Sequence, residues 1–174
     1  VDRTFGYLTA LEEAQRVLRG AHVEARAAVN GVALVKLMGR NAGFIAAGAA
    51  LASQEANFVL VPEVEFPLEG PSGFLVRLEE RMRRRHHAVV VVAEGAGQNL
   101  TDVKDRPRDA SGNIKHADIG LFLKDSIADH FAAVGLPISF KYNDPSYIIR
   151  SVPANCADRR MCDDLARNGV HAAM

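Results

Sequence analysis

The stretch Ala88-Val89-Val90-Val91-Val92-Ala93-Glu94-Gly95-Ala96-Gly97-Gln98 decides how the rest of the chain is read. A continuous apolar run with four consecutive valines suits a strand buried on both faces of a parallel sheet, where neither face calls for a polar residue. Glu94 then falls at the carboxyl end of that strand, the end at which open parallel sheets bind their ligands. A carboxylate directly after four valines is costly unless it meets a polar crevice. It is therefore either solvated in a loop or accepting hydrogen bonds from ligand hydroxyls.

Working outward, Phe58–Val61 reads as a second strand ended by Pro62, followed by an acidic loop from Glu63 to Gly70. A helix with Leu75, Leu78 and Met82 along one face joins the two strands. Its tail, Arg81 to Arg85, sits where helix polarity favours cations and reads as a solvated face. Upstream, Ala33–Leu37 is a short strand, Met38-Gly39-Arg40 a turn, and the alanine-rich run Gly43 to Ser53 a buried helix. The first helix is predicted from Thr9 to Arg19, with Leu11, Ala14, Val17 and Leu18 at helical spacing and Gly20 as a stop. Downstream, the polar segment Leu100 to His116, containing Pro107, reads as a surface loop. A helix from Ile119 to Ala133, a strand from Ile138 to Tyr142 and a closing helix from about Ala157 to Ala172 complete the chain. Strands alternating with helices predict an α/β class, an α/β/α sandwich with a largely parallel sheet.

Composition narrows the function classes. The 174 residues are enough for one domain with a substantial core. Lys plus Arg (21) balances Asp plus Glu (21), so no overall field favours nucleic acid or an anionic membrane, and neither is an expected partner. Cys156 and Cys162, six apart in a predicted helix, have neither a zinc spacing nor a disulfide framework and read as reduced thiols of a cytoplasmic protein. The most apolar stretch, Ala42 to Ala52, is about half of the roughly 20 residues that span a bilayer. The chain begins at Val1, and Asp2-Arg3-Thr4-Phe5-Gly6 already has the density of an internal segment, which predicts a piece of a larger protein.

Three segments place polar groups at strand ends: Met38-Gly39-Arg40, Glu94 to Gln98, and Lys141 to Arg150. Gly39 lets backbone approach a ligand, the following helix offers N–H groups to an anion, and Arg40 supplies a planar fork for phosphate oxygens. The same tripeptide would also serve as a tight turn with a surface arginine. Lys141, Tyr147 and Arg150 bring an ammonium, a phenol and a guanidinium within ten residues, a set able to hold a phosphate dianion and equally at home in an ordinary loop. His22, His86, His87 and His171 have no partner suited to a triad or a metal site. No GxxxxGK[ST] loop, no GxGxxG after the first strand and no CxxC pair is present.

Taken in order, these motifs cover nearly the whole chain and resemble the second half of the 6-phosphofructokinase family. The matching stretches are Val1-Asp2-Arg3-Thr4-Phe5-Gly6, Leu34 to Arg40 with Gly43-Phe44-Ile45-Ala46, Val91 to Gln98, and Asp144-Pro145-Ser146-Tyr147-Ile148-Ile149-Arg150-Ser151-Val152-Pro153-Ala154-Asn155. Their wording is closest to the plant-like, atypical ATP-dependent branch. The resemblance implies that Met38, Gly39 and Arg40 contact fructose 6-phosphate, with Arg40 as the catalytic cation near the transferring phosphoryl group. It implies that Glu94 binds sugar hydroxyls, that the run Tyr147-Ile148-Ile149-Arg150 lies on the substrate with Tyr147 and Arg150 on the 6-phosphate, and that Lys141 is a further phosphate-binding position. In the family, the catalytic aspartate of a TIDND motif and the GGDG segment for nucleotide phosphates and magnesium normally precede the point where this chain begins. The expectations are therefore ATP and fructose 6-phosphate as partners, Mg2+ as cofactor and a homo-oligomer, dimer or tetramer. The chain would be the C-terminal, substrate-binding part of the domain, inactive alone. Pyrophosphate as donor, or an inactive subunit that senses sugar phosphate, are the alternatives.

Overall fold

The computed structural model describes residues 4–101, 112 and 116–174. Val1-Asp2-Arg3 and most of the polar segment Leu100 to His116, Pro107 included, lie outside the described residues. The strands are β1 (Gly31–Leu37), β2 (Phe58–Leu60), β3 (His87–Ala93) and β4 (Ser139–Asn143). They form one sheet in the order β2-β3-β1-β4, and every pairing is parallel. The α/β sandwich expected from the alternation is the architecture observed.

The valine run behaves as its composition demands. Residues Ala88 to Ala93 are each 0% exposed, paired to β1 on one side and β2 on the other. Alternation sends Ala88, Val90 and Val92 to one face, with Val32 and Leu34 of β1, against helices α3 (Phe74–Arg85) and α4 (Ile119–Ala133). Val89, Val91 and Ala93 point to the other, with Ala33, Val35 and Leu37, against α1 (Tyr7–Ala27) and α2 (Phe44–Ser53). Burying each valine contributes about 1.5 to 3 kcal/mol, which makes the two central strands the rigid part of the domain.

Two differences from the sequence reading have physical causes. Helix α1 runs through Gly20 to Ala27. A mid-helix glycine costs about 1 kcal/mol relative to alanine, and two further turns of hydrogen bonds with Ala21 and Ala25 packed on the sheet outweigh it. The helix ends at Ala27, Ala28 is already extended, and the turn into β1 passes through Asn30, whose left-handed φ of 49° asparagine tolerates. Between the last strand and the closing helix, where no element is predicted, Ser146–Arg150 forms a one-turn helix, α5, and the closing helix α6 follows at Cys156–Ala173. Other boundaries move by a residue or two, the usual fraying of element ends.

Candidate functional site

After β1 the chain passes to α2 on one face of the sheet, whereas after β3 it leads to α4 on the opposite face. Two adjacent central strands whose continuations diverge leave a crevice at their carboxyl ends, the position where open parallel sheets bind ligands. Met38-Gly39-Arg40 rises from β1 there, and Glu94 rises from β3 beside it.

The turn is held by that carboxylate. Glu94 Oε1 accepts the backbone N–H of Arg40 at 2.6 Å and of Gly39 at 3.3 Å, while the Glu94 N–H donates to the Leu37 carbonyl at 2.9 Å. Gly39 has φ 154° and Arg40, without glycine's freedom, has φ 51°, a left-handed conformation that costs about 1 kcal/mol or more. The two charge-assisted bonds to Glu94 offset that strain. Gly95 permits the approach: a Cβ there would lie 2.0 Å from the Arg40 carbonyl oxygen. The N–H of Gly43, at the start of α2, is taken by Glu63 Oε1 at 2.8 Å, so this helix end is partly capped from within the protein.

The third wall comes from α5. A cavity of about 520 Å³ is lined by Met38 and Gly39, by Ile149 and Arg150, and by Phe5 and Tyr7 at the start of α1. Ile149 is 4% exposed and anchors the short helix, whereas Tyr147 at 82% and Ile148 at 55% face outward. Arg150 is exposed on the cavity rim. Met38, Gly39, Ile149 and Arg150 thus meet around one space, whereas Arg40 and Glu94, bonded to each other next to Gly39, adjoin that turn without lining the cavity. Tyr147 and Ile148 stand on the same helix without lining it. Lys141 stands apart: it pairs in register with Ala33 midway along β1, and its Nζ lies 3.9 Å from Glu24 of α1.

Residues that the sequence reading passed over hold these walls together. Lys36 Nζ sits 3.0 Å from Asp118 Oδ2 and 2.9 Å from Asp144 Oδ2. Burial opposes its charge, yet hydrogen bonds to Asp144 and Asp118 outweigh this and raise its pKa above the ordinary lysine value. In the cavity wall itself, the carboxylate of Asp158 is 2% exposed and accepts the Thr9 N–H at 2.8 Å and the Thr9 hydroxyl at 2.6 Å, tying α6 to α1. Burial alone would raise its pKa, but the Thr9 bonds dominate and lower it.

A depressed folded-state pKa contributes stability above the unfolded value, about 3.9 for aspartate, that is lost as pH falls through the folded value. Asp158→Asn is therefore expected to destabilise the complete protein by about 1 to 3 kcal/mol at pH 7, and the difference from wild type should shrink below about pH 4. Thermal midpoints of both proteins between pH 7 and 3 check this; a difference independent of pH would show that Asp158 is not the titrating anchor.

Among the described residues, no three His, Cys, Asp or Glu side chains group so as to hold a metal ion, and the carboxylates nearest the crevice are engaged by Lys36 and by backbone N–H groups. The crevice carboxylates Asp118, Asp144 and Glu94 are thus occupied by protein partners rather than presented to a metal ion. Among the described residues no helix is long and apolar enough to cross a membrane.

The sequence pattern of the family described as Phosphofructokinase matches residues 1–173. The chain belongs to the phosphofructokinase family. It is 50% identical over 180 residues to the ATP-dependent 6-phosphofructokinase of Borreliella burgdorferi, covering 100% of this chain and 40% of that protein. It is 47% identical over 176 residues to ATP-dependent 6-phosphofructokinase 7 of Arabidopsis thaliana, covering 100% of this chain and 36% of that protein. Among solved structures, phosphofructokinase from Saccharomyces cerevisiae superposes with a TM-score of 0.65 at 23% identity, over 92% of this chain and 19% of that one, a likeness of fold. This phosphofructokinase chain thus spans about two fifths of the length of the curated relatives it matches.

Proposed function

We propose that the complete protein transfers the γ-phosphoryl group of ATP to the 1-hydroxyl of fructose 6-phosphate, giving fructose 1,6-bisphosphate and ADP in glycolysis, and that this chain supplies the sugar-phosphate pocket. The observation that carries this reading is the meeting of the Met38-Gly39-Arg40 turn and the Arg150 end of α5 around one cavity, with Glu94 beneath the turn. The two curated relatives named above are both called ATP-dependent, which favours ATP over pyrophosphate as donor.

Arg150 takes the 6-phosphate, a doubly charged group suited to its guanidinium fork, and the Tyr147 phenol, which faces outward from the same helix, joins it only where the phosphate extends past the rim. Met38 and Gly39 offer their backbone to the sugar, and the second carboxylate oxygen of Glu94, beyond the one that holds the turn, accepts from a sugar hydroxyl. Arg40 stabilises charge on the transferring phosphoryl group; in such transfers positioning and electrostatics supply most of the acceleration. The general base, the nucleotide site and Mg2+, which neutralises phosphate charge when bound, belong to segments beyond this chain. This chain alone would bind and orient without catalysing. We place the protein in the cytoplasm as a homo-oligomer, dimer or tetramer, with Lys141 on a surface that meets phosphate only if another segment or subunit completes the site.

Glu94→Gln tests this division of labour. The amide keeps the size and one acceptor oxygen but loses the charge, so kcat/KM for fructose 6-phosphate is expected to fall roughly tenfold while the donor KM stays within about twofold. Steady-state kinetics with each substrate varied in turn gives the answer; a raised donor KM with an unchanged sugar KM would move Glu94 to the nucleotide side and sink the assignment.

A further inference from the structure

A lysine within the apolar sequence Leu34-Val35-Lys36-Leu37-Met38 needs a reason, because an ammonium on a central strand is desolvated unless it is paired. Lys36 has a side chain only 12% exposed, and its two carboxylate partners reach separate parts of the pocket. Asp144 uses Oδ2 for Lys36 and Oδ1 for the N–H and hydroxyl of Ser146, the first residue of α5. Asp118 uses Oδ2 for Lys36 and Oδ1 for the N–H groups of Gly120 and Leu121, capping α4. Its neighbour Ala117 exchanges hydrogen bonds with the Gln98 side chain, which also donates to the Glu94 carbonyl. Through one ammonium, β1 is linked to each of the other two segments that form the crevice.

We propose that Lys36 is a positioning residue for the sugar-phosphate pocket, its bridge to Asp144 fixing α5 in place against the Met38-Gly39-Arg40 turn. The inference rests on the function proposed above. Helix α5 needs such a clamp: it has five residues, and Ile149 is its sole buried residue. A one-turn helix has almost no stability of its own, so its angle is set by what grips its ends. Lys36 lies two residues before Met38, and one stiff strand therefore delivers the turn by its backbone and aims Arg150 by its side chain.

The test uses the complete protein with Lys36→Met, which keeps the apolar stem and removes the charge, and with Asp144→Asn as a second variant. The expected result for each is a KM for fructose 6-phosphate raised about tenfold with a donor KM within about twofold, partial recovery in Lys36→Arg, and no further rise in the Lys36→Met, Asp144→Asn double variant. A fall in thermal midpoint with both KM values unchanged would reduce the bridge to a fold contact and overturn the proposal, as would additive effects in the double variant or failure of both single variants to fold. Arg150→Ala, measured in parallel, separates the two levels. If Arg150→Ala raises the sugar KM and Lys36→Met does not, only the positioning role fails; if Arg150→Ala leaves it unchanged, the pocket reading itself fails.

Discussion

Arg150→Ala in the complete protein is expected to raise the KM for fructose 6-phosphate roughly ten- to hundredfold, the consequence of losing a charge-assisted contact that contributes about 1.5 to 3 kcal/mol. Arg150 ends α5 on the rim of the cavity, and its guanidinium makes no hydrogen bond or ion pair with other described residues. For the same reason its truncation should not loosen the fold. On the proposed function the 6-phosphate would be bound alike in ground and transition states, so the loss should appear in KM with kcat nearly constant. Initial rates over a range of sugar phosphate, with the thermal midpoint as control, give the measurement; a KM within about twofold of wild type would remove Arg150 from the site.

Gly95→Ala is expected to lower kcat/KM by roughly a hundredfold or more, because displacements of about 1 Å at a reacting centre cost about that much. The added Cβ would stand 2.0 Å from the Arg40 carbonyl oxygen and 3.1 Å from its carbon, contacts with backbone rather than with a flexible side-chain end. Either the Met38-Gly39-Arg40 turn moves or Glu94 loses its grip on it. Gly20→Ala is the matched control, since a Cβ there meets nothing within 4 Å in the middle of α1 and should leave activity intact. Activity of Gly95→Ala within about threefold of wild type would mean that the turn is not held as described.

The central strands were legible because their chemistry is one-sided. Four valines in a row admit few readings, and the alternation of strands with helices followed from periodicity and glycine turns. Gly20 misled because a stop signal is a local preference, and packing of Ala25 overrode it. Helix α5 was hidden because five residues carry no period; its signal was the Asp144-Pro145-Ser146 start, a side chain that accepts from the backbone two residues on. Of the site, Glu94 and Arg40 could be singled out by position, but the bond between the Glu94 carboxylate and the Arg40 backbone needed three dimensions. Lys36 carries a signal in the sequence, because a cation in an apolar strand implies a buried partner, although no spacing rule names Asp118, 82 residues away, or Asp144.

The side on which Lys36 falls has a consequence for how the sheet assembles. Side chains along β1 alternate between the α3–α4 layer and the α1–α2 layer, and Lys36 points to the first, toward Asp118. Sliding β1 by one residue against β3 would leave valines opposite valines and scarcely change the apolar pattern of either strand. It would, however, turn the ammonium into the layer of Ala46 and Ala49, away from both carboxylates. Between β1 and β3, whose apolar patterns would tolerate the shift, that charge opposes the slipped alignment and favours the register in which the crevice forms.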